Sequence, residues 1–307
     1  MKSVIRCFWP FLVPVLLSIW LACMKEPVSA PLQSVTEPSC AQQRDGNIPQ
    51  QPGESHRYRK DSVTIRKLHR SGTNPQRPHR WKNNKKAAYT IAFDDSRPSH
   101  HQVVLPELLK RGINGTFYLN TKVIRRWVPW QYMAETGQEI GSHTWSHFRC
   151  SQLSEAAFRV ELARAIRDLE RHIPDVSPVR SFSFPFAAYN DMNQSVVQEY
   201  HLSARCGGGI NSNAITLEEL NDLKGISVCP PYDIEKMNSY VNMTIDSGGW
   251  LILFFHSVSA KEESTYDKIP LSLFKKHLDY VCSLRDSLWI APQGDVAEFI
   301  QAREPAK

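Results

Sequence analysis

Ile91-Ala92-Phe93-Asp94-Asp95-Ser96 is an apolar run that ends on two adjacent carboxylates, and the polar residues Arg97, Pro98, Ser99 and His100 follow it. If residues 89–93 form a buried strand, both acids stand where the chain leaves the core. Neighbouring like charges in a half-buried place are costly unless a cation or a proton compensates them. A metal ion, with one acid as ligand and the other as base, is one such compensation. Two solvated loop acids are the plain alternative, and this stretch alone leaves both open.

Working outward, short apolar runs alternate with helical patterns from Ala87 onward. The spacing predicts a helix over 103–111 stopped by Gly112, a strand over 116–119 and a helix over 121–136. Ser154 can cap a long helix whose apolar positions Phe158, Leu162, Ile166, Leu169 and Ile173 recur every three or four residues. Strands are expected near 181–184, 202–205 and 251–255, and helices near 271–284 and 295–302. Alternation of this kind builds a parallel sheet with crossover helices, of which a barrel is one closure. Function then gathers at the carboxyl ends of the strands, which is where Asp94 and Asp95 fall.

Ahead of this part the composition differs. Lys2 and Arg6 precede a nearly unbroken apolar run over 7–22, the pattern of a secretory signal over 1–23. Leu21-Ala22-Cys23 resembles the end of a bacterial lipoprotein signal, with Cys23 as the lipidated residue, although Trp20 stands where that pattern prefers a small aliphatic. Export is therefore expected, with the chain secreted or membrane-anchored. Residues 24–86 are rich in Pro, Gln, Ser, Lys and Arg and offer too little apolar area to offset their ordering entropy. They are expected to form a disordered tether, and 87–307 a single catalytic domain. The net charge of +6 belongs to the front of the chain, and the part after Ala87 is net acidic. A solvated linker and a contact for anionic wall polymer or membrane surface both fit the basic tether. Nucleic acid is not expected as a partner of an exported chain. Seven cysteines without a CxxC pair make a zinc-ribbon reading a poor one. One or two disulfides are compatible with an oxidising compartment.

Three further clusters end apolar runs. Gly141-Ser142-His143-Thr144-Trp145-Ser146-His147 carries histidines at i and i+4, which share a face on a helical turn and can share one metal ion. Two imidazoles and a carboxylate make an open three-ligand site with room for water. Phe182-Ser183-Phe184-Pro185-Phe186-Ala187 is broken by its proline, so the backbone beyond it can aim an N–H into a site. Trp250 to Phe255 is strongly apolar and ends on His256. Each cluster taken alone is as well explained by packing.

Together and in this order they resemble the polysaccharide deacetylase family, carbohydrate esterase family four, over roughly residues 87–303. Asp94-Asp95, His143 to His147 and Phe254-Phe255-His256 match the family's first, second and fifth motifs, with Phe254 in place of the usual leucine. The resemblance implies a distorted parallel (β/α) barrel that removes N- or O-acetyl groups from polysaccharides, N-acetyl first. It implies that Asp95, His143 and His147 hold a divalent metal, zinc first, and that Asp94 is the general base. The Phe186 backbone N–H would stabilise the oxyanion, and His256 would be the general acid.

Departures accompany the match. The family's third motif usually begins with an arginine that pairs with the base, and Ser183 stands there; Ala187 replaces a common glycine. Arg205 is expected to tune the base instead, with Arg180 a poorer candidate. Asp233 is a weak candidate for the carboxylate that tunes the acid histidine. Two other readings stay open: a catalytically impaired member serving as a glycan-binding module, and a deacylase or amidase of a non-sugar substrate. Trp127, Trp130, Trp145 and Trp250 are either sugar-stacking platforms or core.

Overall fold

The computed structural model describes residues 80–265 and 267–303. The expected signal over 1–23, the lipidation position Cys23 and the tether up to residue 79 lie outside them. Folded structure begins ahead of Ala87, earlier than composition drew the boundary. Trp81 is buried, and its indole Nε1 donates to the Gly248 carbonyl at 2.8 Å.

Ten strands occur in the described residues: β1 (Ala87–Phe93), β2 (Thr116–Leu119), β3 (Glu139–Ser142), β4 (Ser181–Ser183), β5 (Ser203–Arg205), β6 (Ile226–Ser227), β7 (Trp250–Phe255), β8 (Ser257–Ser259), β9 (Lys268–Pro270) and β10 (Leu288–Ile290). The main sheet is parallel, in the order β5-β4-β3-β2-β1-β7-β6. Strand β10 pairs with the start of β1, where Ala87 faces Leu288, and β2 pairs with its end, where Phe93 faces Phe117. A parallel bridge between Arg205 and Leu223 draws the β5 edge toward the segment entering β6 and curls the sheet into a distorted barrel. Strands β8 and β9 form a separate small sheet.

Period-two alternation sorts the two faces of β1 and β7. Tyr89, Ile91, Phe93, Leu251, Leu253 and Phe255 belong to the outer core, which also holds Leu108, Val241, Phe274 and Leu278 from the crossover helices. Ala88, Ala92, Trp250, Ile252 and Phe254 belong to the inner one. Both faces of β1 are therefore buried, as a parallel sheet between helices requires. Carried one step past each strand end, the inward phase 88, 90, 92 reaches Asp94, and 250, 252, 254 reaches His256.

The crossovers are α1 (Leu105–Lys110), α2 (Val128–Glu135), α3 (Glu155–His172), α4 (Asp191–Val197), α5 (Ile234–Ser247), α6 (Leu271–Ser283) and α7 (Gln293–Gln301). Ser154 caps α3 by accepting the Ala157 amide at 3.3 Å. The single helix expected over 121–136 is instead a short turn over Thr121–Val123 followed by α2. Pro129 explains the break, because it lacks an amide to continue a preceding helix and is suited to a first turn. A wide π-turn, His100–Val104, precedes α1. Asp233 is the N-cap of α5, its Oδ1 accepting the Lys236 amide at 3.0 Å. That hydrogen bond makes it a helix cap rather than a partner of the acid histidine.

The start of α7 plugs the amino end of the barrel. The Gln293 amide donates to Thr116 Oγ1 at 2.8 Å, and the Gly294 amide donates to Glu139 Oε2 at 2.9 Å. Ser181 and Thr116 hydroxyls donate to the same carboxylate, each at 2.8 Å, and burial pushes the Glu139 carboxyl upward. Arg180 lies at this end, 3.0 Å from Asp295 and 2.9 Å from Glu298, and is not the cation beside Asp94. With this end filled, the carboxyl end is left for chemistry.

Candidate active site

Asp94 leaves β1 with its amide bonded to the Phe255 carbonyl at 3.0 Å, so its backbone is still held by the sheet. Its carboxylate is buried, and Arg205 Nη2 lies 2.5 Å from Oδ2. The same nitrogen is 2.5 Å from Ser183 Oγ, and the guanidinium carbon sits 3.7 Å from the Phe254 ring centroid. Arg205 is only 2% exposed. A buried cation survives only when charge and hydrogen bonds replace its water. Here the carboxylate, the hydroxyl and the aromatic face do so together. Asp94 Oδ1 is buried and accepts no hydrogen bond among the described residues.

Asp95 turns the other way because φ at Asp95 is 77° and at Ser96 is 54°. This left-handed turn is tolerated by Asp more than by most residues. His147 Nε2 lies 2.9 Å and His143 Nε2 3.4 Å from Asp95 Oδ1, yet Oδ1 has no hydrogen-bond partner, so these groups converge without bonding one another. The three ligand atoms all lie within 4.8 Å of each other. The His143 Nδ1–H donates to the Ser183 carbonyl at 2.7 Å, which turns a lone pair on Nε2 toward Asp95. Burial pushes the Asp95 carboxyl up, but His143, His147 and His256 outweigh it and hold it well below the usual carboxylate range. An anionic oxygen and two imidazole lone pairs around one point fit a divalent cation.

The histidine pair is not on a helical turn, contrary to the i, i+4 expectation. Thr144 and His147 have φ of 63° and 61°, and the loop is bent back on itself. Such backbone costs on the order of 1–3 kcal/mol per residue and persists only where the surroundings enforce it. Thr144 Oγ1 accepts the His147 amide at 2.9 Å, and Glu161 on α3 takes both the amide and the hydroxyl of Ser146 at 2.7 Å.

Phe186 packs on this loop, its ring centroid 4.6 Å from that of His147. Its φ of 59° belongs to the turn after Pro185. His256 Nε2 lies 3.9 Å from Asp95 Oδ2, on the side of the mouth opposite the histidine loop. The Asp94, Asp95, His143, His147, Phe186, Arg205 and His256 positions thus converge on one end of the barrel.

Sequence reasoning passed over His100. It is fully buried among Phe93, Phe117 and Trp130, and its Nε2–H donates to the His256 carbonyl at 2.6 Å. Burial pushes its imidazole down to about 4, so it stays neutral. The only signal in the chain was a histidine just past the paired acids. Of the tryptophans, Trp130 and Trp250 are core and Trp127 stacks on His172 at 4.4 Å. Trp145 lies in the loop between His143 and His147.

A family model described as polysaccharide deacetylase matches residues 82–204. Among curated proteins the chain is similar to a gellan lyase of Bacillus sp, 23% identical over 251 residues; the match takes in 74% of this chain and 10% of that protein, so this chain spans about a tenth of its relative's length. Among solved structures it is similar to a protein assigned as a polysaccharide deacetylase from Pseudomonas aeruginosa PAO1, with TM-score 0.59 and 14% identity over 80% of this chain and 100% of that one. A second, from Mycobacterium smegmatis, has TM-score 0.55 and 17% identity over 75% and 95%. At these identities the likeness to the two structures is one of fold.

Proposed function

We propose that the chain is a member of the polysaccharide deacetylase family, carbohydrate esterase family four, whose model matches residues 82–204, and that it is a metal-dependent hydrolase removing acetyl groups, N-acetyl ahead of O-acetyl, from a polysaccharide or cell-wall glycan. The observation that carries this reading is the pairing of Asp94 with Arg205 directly beside the Asp95, His143 and His147 cluster.

Asp95, His143 and His147 would hold a divalent metal, zinc first, whose contribution is Lewis acidity toward an acetyl carbonyl that is a poor electrophile in water. Asp94 takes a proton from the attacking water through Oδ1, while Arg205 fixes Oδ2. Water adds to the acetyl carbon, and the Phe186 amide donates to the oxygen on which negative charge grows. His256 delivers a proton to the departing amine or hydroxyl, the bond to the acetyl carbon breaks, and acetate leaves. His100 holds the backbone of His256 in place for that transfer.

A non-catalytic glycan-binding reading draws on Ser183; the guanidinium of Arg205 beside Asp94 supports hydrolysis instead. The basic start and apolar run over 1–23 support export, secreted or anchored, where wall glycans are met. Acetate release from a panel of acetylated glycans, with and without chelator, tests the reading. Release that stops with chelator and in Asp94→Asn is expected. Glycan binding without release would favour the non-catalytic reading, and release only from non-sugar acyl compounds would favour a different deacylase.

A further inference from the structure

Three cations border the histidine loop without a carboxylate partner. Lys122 Nζ lies 4.8 Å and Arg164 Cζ 4.6 Å from the Trp145 ring centroid, and Arg149 Cζ lies 4.5 Å from that of Phe186. Trp145 sits between the ligand histidines, and Phe186 packs on His147. These charges therefore lie around the loops that follow β2, β3 and β4, each one aromatic ring from the histidine loop. The nearby acids of α3 are occupied: Glu161 takes the Ser146 amide and hydroxyl, and Asp168 Oδ2 accepts the Thr121 hydroxyl at 2.8 Å. Among the described residues none of the three cations makes an ion pair. Arg97, by contrast, lies 3.1 Å from Asp95 and 3.8 Å from Asp267. Positive charge is thus left uncompensated on one side of the mouth, in a domain that is net acidic. Aromatic faces hold the cations in place without neutralising them.

We propose that this arc is a subsite for carboxylate groups of the glycan, so that the substrate is an acetylated acidic polysaccharide of uronic-acid type. The inference rests on the reading above that the site faces a glycan. A neutral chain would cross the arc and gain only hydroxyl contacts. A sugar carboxylate seated within a few ångströms gains charge-assisted hydrogen bonds from Arg149 and Arg164. Lys122 adds a further charge, and the attraction weakens as salt shortens its range.

Binding of a uronic-acid oligosaccharide is compared with that of the same oligomer after its carboxyls are reduced to alcohols, using the full chain loaded with zinc. About tenfold tighter binding of the carboxylated oligomer is expected at low salt, shrinking at high salt. The advantage should vanish in the double variant Arg149→Gln, Arg164→Gln and persist in the double variant Lys275→Gln, Lys276→Gln, which removes an equal charge from α6. Equal binding of the two oligomers, or no binding of either, overturns the proposal. An advantage that survives the double variant also overturns it, because the carboxylates would then be held by the basic segment ahead of Ala87. Selective binding that the double variant abolishes, without acetate release from acetylated acidic glycans, would sink the hydrolytic reading and leave the subsite standing.

Discussion

Arg205 Nη2 and Asp94 Oδ2 lie 2.5 Å apart in the barrel interior, although 111 residues separate them in the chain. Ser183 and Arg205 are register partners on β4 and β5. Where the family commonly places an arginine at the position of Ser183, the guanidinium here comes from the adjacent strand at the same height, a lateral step of about 4.8 Å. Ser183 is small enough to admit it and bonds to it, and Phe254 in place of leucine offers it an aromatic face.

Arg205→Met should cost about 3–5 kcal/mol of stability, because it leaves Asp94 as an unpaired buried charge. Acetate release should fall by roughly 100-fold or more. The double variant Ser183→Arg, Arg205→Ser should recover part of that loss, since it returns the cation at the same height. Kinetics on folded protein, checked by circular dichroism, would read this. No recovery in a folded double variant would show that the strand of origin matters.

Gly225 borders the same niche. A Cβ there would meet Arg205 Cδ at 2.8 Å, a mid-chain atom on a side chain pinned at its far end. Gly225→Ala should therefore destabilise by about 1–3 kcal/mol and lower activity while zinc content stays normal. Zinc stoichiometry measured beside kcat separates this from damage to the ligands.

If Asp95, His143 and His147 hold the ion as proposed, metal should raise the melting temperature, because an ion bound only by the folded cluster stabilises it. Titration with zinc after chelation is expected to give a shift that saturates at one ion per chain. Asp95→Asn should abolish most of the shift, while Asp94→Asn should keep it. An equal loss in both variants would contradict the division of roles between the two acids.

His100→Phe retains the packing against Phe93, Phe117 and Trp130 but removes the donor to the His256 carbonyl. A loss of about 1–3 kcal/mol in stability is expected from the orphaned acceptor, with kcat falling and KM little changed. His100→Gln, which can keep an N–H in reach, should restore part of kcat. A variant pair with identical kinetics would reduce His100 to a packing residue.

His201 and His277 are buried away from the mouth, and burial pushes both imidazoles down from 6.5 to about 4. The unfolded chain binds these protons first as pH falls. The stability they contribute is therefore complete above about 6.5 and lost progressively down to about 4, on the order of 3 kcal/mol for each. Denaturant midpoints should drop between pH 7 and pH 5 even with chelator present. His201→Gln should flatten that drop; an unchanged slope would mean that His201 is not the proton acceptor.

The sequence was most legible where the physics is local. Apolar alternation ends at Asp94 and at His256, and those strand ends stand as expected because a side chain's face follows from its position in the strand. Ser154 caps α3 for the same reason. The 121–136 pattern misled because apolar spacing carries no account of Pro129, and the helical reading of His143 and His147 failed because Glu161 and Thr144 hold that loop in a conformation no local rule favours.

By itself, then, the sequence determined the strand–helix alternation, the inward phase of β1 and β7, and the polar residues that follow their ends. These depend on neighbours in the chain. Only the tertiary structure decided between Arg205, the first candidate in the sequence, and Arg180, which serves the opposite end of the barrel, and only it showed that Asp233 is a cap and that His100 reaches the His256 carbonyl. Each of those depends on strand register and barrel curvature, which bring together residues far apart in sequence and which no local pattern encodes. The two adjacent acids become unlike for the same reason: positive φ at Asp95 turns one toward two histidines, while the sheet holds the other against Arg205.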